Sequence, residues 1–200
     1  MVKKERLVFT FGRFNPPTTG HFELVKAVAE EAKKDGSDFI IVPSHKKNNT
    51  DNPLPFDVKV RYMKHMFFKY RDHIYDGDDL KTAFKVCEHY QGQYYDICMV
   101  VGSDRVEAFS KRLIAANGKT HTFRKIEVKS PPGLKRVTNS SQKKLEDYDI
   151  FDDTSTMSGS LMRKFAENVM TQQFLLGTRG LLNTWDSLEL MAEVRKHIGK

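Results

Sequence analysis

The sequence predicts an α/β protein, a doubly wound parallel sheet with helices on both faces. Three observations carry this. Short apolar runs recur at residues 7–11, 38–42 and 95–101. Between them lie stretches whose apolar residues repeat at helical spacing. The third run is the strongest, as suits a strand covered on both faces. In such a sheet a ligand lies beyond the carboxyl ends of the strands.

The strand at 7–11 leads into a helix at about 20–35, where Phe22, Val25, Val28, Ala29 and Ala32 share one face and Asp35-Gly36 ends the pattern. After the strand at 38–42 a polar loop carries Pro53 and Pro55. A helix near 57–70 follows, with Val60, Met63, Phe67 and Tyr70 on one side. A helix near 79–90 precedes the strand at 95–101, and a helix at about 104–116 and a strand near 121–129 come after it. Residues 130–156 combine Ser130-Pro131-Pro132-Gly133, a basic patch, Ser140-Ser141 and an acidic run from Glu146 to Asp153, the composition of a mobile loop or lid. C-terminal helices are expected at about 160–170 and 185–198, the latter through Leu188, Met191, Val194 and Ile198. All 200 residues are expected to form a single domain without repeats.

Composition narrows the function. With 39% hydrophobic and 30% charged residues the chain has a globular balance. The apolar run at 7–11 is too short for a secretory signal or a membrane span, so a cytoplasmic location and no membrane partner are expected. Cys87 and Cys98 lack metal-ligand spacing and read as reduced core thiols. His45, His65, His73, His89, His121 and His197 likewise show no metal spacing and read as structural or surface residues. A net charge of +7, from 33 basic and 26 acidic residues, can attract nucleic acid or gather a triphosphate into a cleft. The densest lysine pairs, Lys46-Lys47 and Lys143-Lys144, have few interleaved aromatics, so a base-stacking platform is not indicated. The sequence contains no GxxxxGK[ST] loop, no GxGxxG and no Gly-x-Ser-x-Gly elbow, which argues against P-loop kinases, dinucleotide-dependent dehydrogenases and serine hydrolases.

The most informative stretch is Phe11-Gly12-Arg13-Phe14-Asn15-Pro16-Pro17-Thr18-Thr19-Gly20-His21, where the first strand gives way to the first helix. A helix N-terminus there presents unpaired N–H groups and the positive end of its dipole, which favour an anion. Gly12 permits close approach of a ligand, Asn15 and the prolines fix a turn, and Thr18 or Thr19 can cap the helix. His21, in the first helical turn beside Gly20, can donate to a phosphoryl oxygen and carry extra charge. Its bland alternative is a capped helix start with a surface histidine. A second stretch, Met157-Ser158-Gly159-Ser160-Leu161-Met162-Arg163, repeats the pattern: Ser158 and Ser160 can cap or bind anions, and Arg163 can reach the same anion with a bidentate fork. Two such cradles suggest one polyphosphate held between them.

On these residues the chain resembles the nucleotidylyltransferase superfamily. Thr18-Thr19-Gly20-His21 looks like its (H/T)xGH motif, and Ser158-Gly159-Ser160-Leu161-Met162-Arg163 like its (S/T)-S/G-(S/T)-x-x-R motif. Gly12-Arg13-Phe14 is similar to nicotinamide mononucleotide adenylyltransferases, whereas threonine at Thr18 is similar to phosphopantetheine adenylyltransferases. The order from Gly12 to His21 also resembles cytidylyltransferase-like proteins of bacteriophages. The resemblance implies a Rossmann-like fold and catalytic roles for Thr18, His21 and Arg163. It implies nucleotide contacts at Gly12, Arg13, Phe14, Asn15, Gly20, Ser158, Gly159 and Ser160.

Two further segments carry both a functional and a structural reading. Val101-Gly102-Ser103-Asp104-Arg105 closes the central strand: Gly102 would permit nucleotide approach and Asp104 would accept from a ribose or base, as in the similar Gly-x-Asp segment of the adenylyltransferases, or Ser103 or Asp104 simply caps a helix. Arg105 shares that alternative. Lys46 or Lys47, soon after the second strand, and Arg61 on the next helix could hold an acceptor phosphate or pyrophosphate, or remain solvated.

The expected reaction is attack of a phosphate monoester on the α-phosphorus of a nucleoside triphosphate. It needs alignment and charge neutralisation more than a general acid or base. Mg²⁺ held mainly by the triphosphate and water is the expected cofactor; no protein ligand for it can be named. Adenylyl transfer to a nicotinamide-mononucleotide-like acceptor is the first expectation, with cytidylyl transfer or a pantetheine phosphate acceptor as alternatives. A nucleic-acid-binding module and a catalytically silent nucleotide sensor are the readings from other classes. A homo-oligomer remains open.

Overall fold

Four parallel strands, β1 (Lys4–Gly12), β2 (Asp38–Pro43), β3 (Tyr94–Val100) and β4 (Lys125–Lys129), pair in the order β2-β1-β3-β4. Gly12 is in register with Pro43, Phe9 with Met99, and Val100 with Lys129. This computed structural model describes residues 2–48, 50–132, 144–148 and 157–198. They divide into two compact units: Met1–Gly12, Leu24–Ser44 and His73–Arg136 in the first, and Arg13–Glu23, His45–Asp72 and Val137–Lys200 in the second.

The first unit holds the sheet. Side chains alternate across its two faces. On one face Val8, Cys98 and Val100 pack against Val28 and Ala32 of α1 (Thr19–Lys33), all buried. On the other, Leu7, Phe9, Ile97 and Met99 pack against Ala83, Val86 and Cys87 of α3 (Ala83–Tyr90) and Leu113 of α4 (Val106–Ala116). Helices therefore cover both faces, and the fold is Rossmann-like α/β. Strand order changes direction between β1 and β3, the kind of switch point beyond whose strand ends doubly wound sheets bind ligands. Gly12 ends β1, and Gly102 follows β3 by two residues. Both cysteines are buried free thiols, and burial pushes Cys87 up to about 12.

A charged cluster lies on the α1 face. Glu31 accepts from Arg6 at 2.7 Å, from Lys129 at 2.8 Å and from Lys34 at 2.8 Å, with its side chain only 8% exposed. Arg6 also donates to Asp35 at 2.7 Å.

The second unit contains the start of α1, α2 (Phe56–Met66), α5 (Gly159–Glu167), α6 (Thr171–Leu176) and α7 (Thr184–His197). Among the described residues no helix is long and apolar enough to cross a membrane.

Several expected boundaries move. The helix expected near 57–70 ends at Met66 and tightens into a 3₁₀ turn at Phe68–His73. The helix expected from 79 begins at Ala83, because Thr82 accepts the Lys85 N–H as a cap. The last strand starts at Lys125 rather than near 121, since buried His121 is engaged with the carbonyl of Leu113 at 3.2 Å. The short α6 was not anticipated. The loop expected to act as a lid at 130–156 lies mostly outside the described residues; within it, Leu145–Asp147 forms a 3₁₀ turn and the Tyr148 ring meets Phe165 edge-on at 5.5 Å.

Candidate active site

The two phosphate-type stretches meet in the second unit through two capped helix starts. Thr18, fully buried, caps α1: its Oγ1 accepts the backbone N–H of His21 at 3.2 Å. Ser158 caps α5, its Oγ accepting the Leu161 N–H at 3.2 Å. The caps are tied together, because the Thr18 hydroxyl donates to the carbonyl of Met157 at 2.7 Å, the residue before Ser158. Two helix N-termini, each with a positive dipole end, are thus side by side.

That hydroxyl also fixes the histidine. Its single proton goes to Met157, since a carbonyl can only accept, so toward His21 Nδ1, 2.9 Å away, the oxygen must accept as well. Nδ1 therefore carries a proton. For Nε2 to donate to an anion the ring must hold a second proton and become imidazolium. The fully buried Phe14 ring sits 5.0 Å from the imidazole centroid. Phe14 has φ of 47°, a left-handed conformation that costs on the order of 1–3 kcal/mol for a bulky residue and marks a site held by its surroundings.

Arg163, 8% exposed, extends the junction. One guanidinium nitrogen donates to the Asn15 carbonyl at 2.7 Å, and the other to Ser160 Oγ at 3.0 Å and Asp51 Oδ1 at 3.2 Å. The Asn15 amide clamps the loop at Leu54, donating to its carbonyl at 3.1 Å and accepting its N–H at 3.0 Å. The Asn15–Pro16 peptide bond is cis. Gly159 explains the close approach of α5: a Cβ there would lie 3.1 Å from the Asn15 carbonyl oxygen and 3.2 Å from that of Pro16. Gly159→Ala is expected to force these backbones apart and cost about 1–2 kcal/mol, read as a lower urea midpoint. An unchanged midpoint means the junction has slack.

Of the expected site residues, Arg13, Phe14, Asn15, Thr18, Gly20, His21, Ser158, Gly159, Ser160 and Arg163 belong to the second unit, as do Lys46, Lys47 and Arg61. Arg13 approaches Asp51 at 4.0 Å. Lys46 and Lys47 are exposed, and Arg61 lies 3.6 Å from Glu189 on α7 and against the Tyr62 ring. Gly12, Gly102, Asp104 and Arg105 belong to the first unit. Of the two readings of this segment, the one in which Ser103 or Asp104 caps a helix does not hold: neither the 3₁₀ turn Ser103–Arg105 nor α4 has a side-chain cap. The turn is closed by backbone instead, Arg105 N–H to the Gly102 carbonyl at 2.9 Å.

Asp51, the Met157 carbonyl and Lys59 escaped sequence reasoning. Lys59 is fully buried beneath the Phe56 ring, which stacks on His45 at 3.7 Å, and burial pushes its ammonium down to about 8. Its place among Val60 and Met63 was the available signal, a lysine next to an apolar helix face.

A family model of cytidylyltransferase-like proteins matches residues 9–173, from within β1 into α6, and takes in both capped helix starts. The chain belongs to the cytidylyltransferase-like family. A comparison with curated proteins found no match. Cytidylyltransferase-like membership agrees with the parallel sheet of the first unit and makes the chain a nucleotidyltransferase in the general sense.

Proposed function

We propose that the protein joins a nucleoside triphosphate, ATP first, to a phosphate monoester of the nicotinamide mononucleotide type. A monoester oxygen attacks the α-phosphorus; the new P–O–P bond forms as the bond to the bridging oxygen breaks, and pyrophosphate leaves with the electron pair. The observation that carries the reading is the Thr18–Met157 hydrogen bond, which sets two helix N-termini side by side where one polyphosphate can meet both. Thr18 and His21 serve the α/β-phosphate region, where charge builds on the bridging oxygen. Ser158, Ser160 and Arg163 serve the β/γ-phosphates. Gly12, Arg13 and Phe14, with Gly102 and Asp104, favour the adenylyl choice through their likeness to nicotinamide mononucleotide adenylyltransferases.

Among the described residues no three of His, Cys, Asp or Glu converge as a metal site. The helix starts, hydroxyls and Arg163 of the cradle suit an anionic triphosphate, with which Mg²⁺ would enter as its complex. Cytidylyl transfer is the second reading, favoured by the family match.

The test pairs each nucleoside triphosphate with several phosphate monoesters in the presence of Mg²⁺ and measures pyrophosphate. Release is expected with ATP and the nicotinamide nucleotide, and none when the monoester is omitted. Release with CTP alone moves the assignment to cytidylyl transfer. Silence with every pair, together with salt-sensitive binding of nucleic acid, overturns the enzyme reading.

A further inference from the structure

We propose that Asp51 is an internal stand-in for a phosphoryl group: its carboxylate occupies the arginines of the cradle until an anionic ligand displaces it. This rests on the transferase reading of the same cradle. The carboxylate is divided between two arginines, Oδ1 lying 3.2 Å from Arg163 and Oδ2 4.0 Å from Arg13. Arg163 has a side chain 10% exposed and also donates to the buried Asn15 carbonyl, whereas the Asp51 side chain is 61% exposed. The acid therefore reaches the arginine from the solvent side, the side from which a ligand arrives. A phosphoryl group has more charge and more acceptor oxygens than a carboxylate and competes well for a guanidinium fork.

The segment bearing Asp51 is a short self-closed turn. Asn48 Oδ1 accepts the N–H groups of Thr50, Asp51 and Asn52, and the Asn48 N–H donates to the Asn52 carbonyl at 3.0 Å. A second feature makes this arrangement displaceable. The Asn52 side chain is fully buried, and neither its amide nitrogen nor its oxygen has a hydrogen-bond partner. A buried amide without partners penalises the conformation that holds it. The ion pair favours the Asp51-occupied state while the neighbouring amide opposes it, so a modest ligand contribution tips the balance. Apparent affinity is then reduced by the fraction of molecules in which Asp51 is seated.

Calorimetric titration of the full chain with inorganic tripolyphosphate tests this on wild type, Asp51→Asn and Asn52→Leu. Asp51→Asn is expected to bind on the order of tenfold tighter while its ligand-free Tm falls. Asn52→Leu, which removes the unsatisfied amide at similar volume, is expected to do the reverse: higher ligand-free Tm and weaker binding. Binding by the wild type that is unchanged or weaker in Asp51→Asn overturns the stand-in and leaves the cradle standing. Absence of binding by both proteins overturns the cradle with it. If Asp51→Asn does not fold, Asn52→Leu decides: unchanged or tighter binding refutes the proposal.

Discussion

His21→Ala is expected to lower kcat about a hundredfold, equivalent to about 3 kcal/mol of transition-state stabilisation, with little change in nucleotide KM. The split follows from where charge moves. In the proposed reaction, ground-state binding of the triphosphate would be spread over two helix N-termini and Arg163, whereas His21 would gain most when charge shifts to the bridging oxygen. Thr18 accepts both the His21 backbone N–H and the Nδ1 proton, so truncation leaves the cap intact and the protein folded. Steady-state kinetics with pyrophosphate detection reads the split. Equal damage to kcat and KM removes His21 from the reacting centre.

The largest stability effect is expected from Glu31→Gln. Burial pushes the Glu31 carboxyl up, but hydrogen bonds from Lys129, Lys34 and Arg6 outweigh it and hold the group at about 2, against an ordinary 4.5. The same contacts push the Arg6 guanidinium and Lys129 ammonium above their ordinary values despite burial. By linkage the lowered carboxyl contributes about 3 kcal/mol, similar to the usual cost of removing one partner from a buried ion pair. Glutamine keeps the shape and removes the charge, leaving Arg6 and Lys129 short of a counter-ion. For a chain of this size the loss is roughly 10 °C in Tm. Because the folded value lies below the unfolded one, the contribution is complete above about pH 4.5 and disappears as pH falls through about 2. The Tm difference between wild type and Glu31→Gln should therefore be full near neutrality and shrink in acid. A difference that is constant with pH assigns the effect to packing instead.

Glu31 also illustrates what local pattern conceals. In the sequence it is one of many charged residues on a helix, and nothing nearby marks it as buried. Its partners Arg6 and Lys129 arrive from β1 and β4, far along the chain. The ends of β1 were hidden for the same reason: its apolar signal covers 7–11, yet pairing extends it to Lys4–Gly12. There backbone ladders act on residues whose side chains carry no strand signal, Lys4 being in register with Tyr94 and Arg6 with Asp96. Capping was legible where a hydroxyl precedes an apolar helix, as at Thr18 and Ser158. At Ser103-Asp104, where a cap was one of two readings, backbone closes the turn instead.

By itself the sequence determined the alternation that builds a parallel sheet, the glycines near the ends of β1 and β3, and two hydroxyl-glycine stretches suited to helix starts. These follow from period, conformational freedom and capping, all properties of neighbours in the chain. Only the tertiary structure decided that Thr18 gives its proton to Met157, which tautomer His21 holds, and that Asp51 reaches Arg163. Those outcomes depend on atoms brought within hydrogen-bond distance by folding, and local spacing carries no information about such distances.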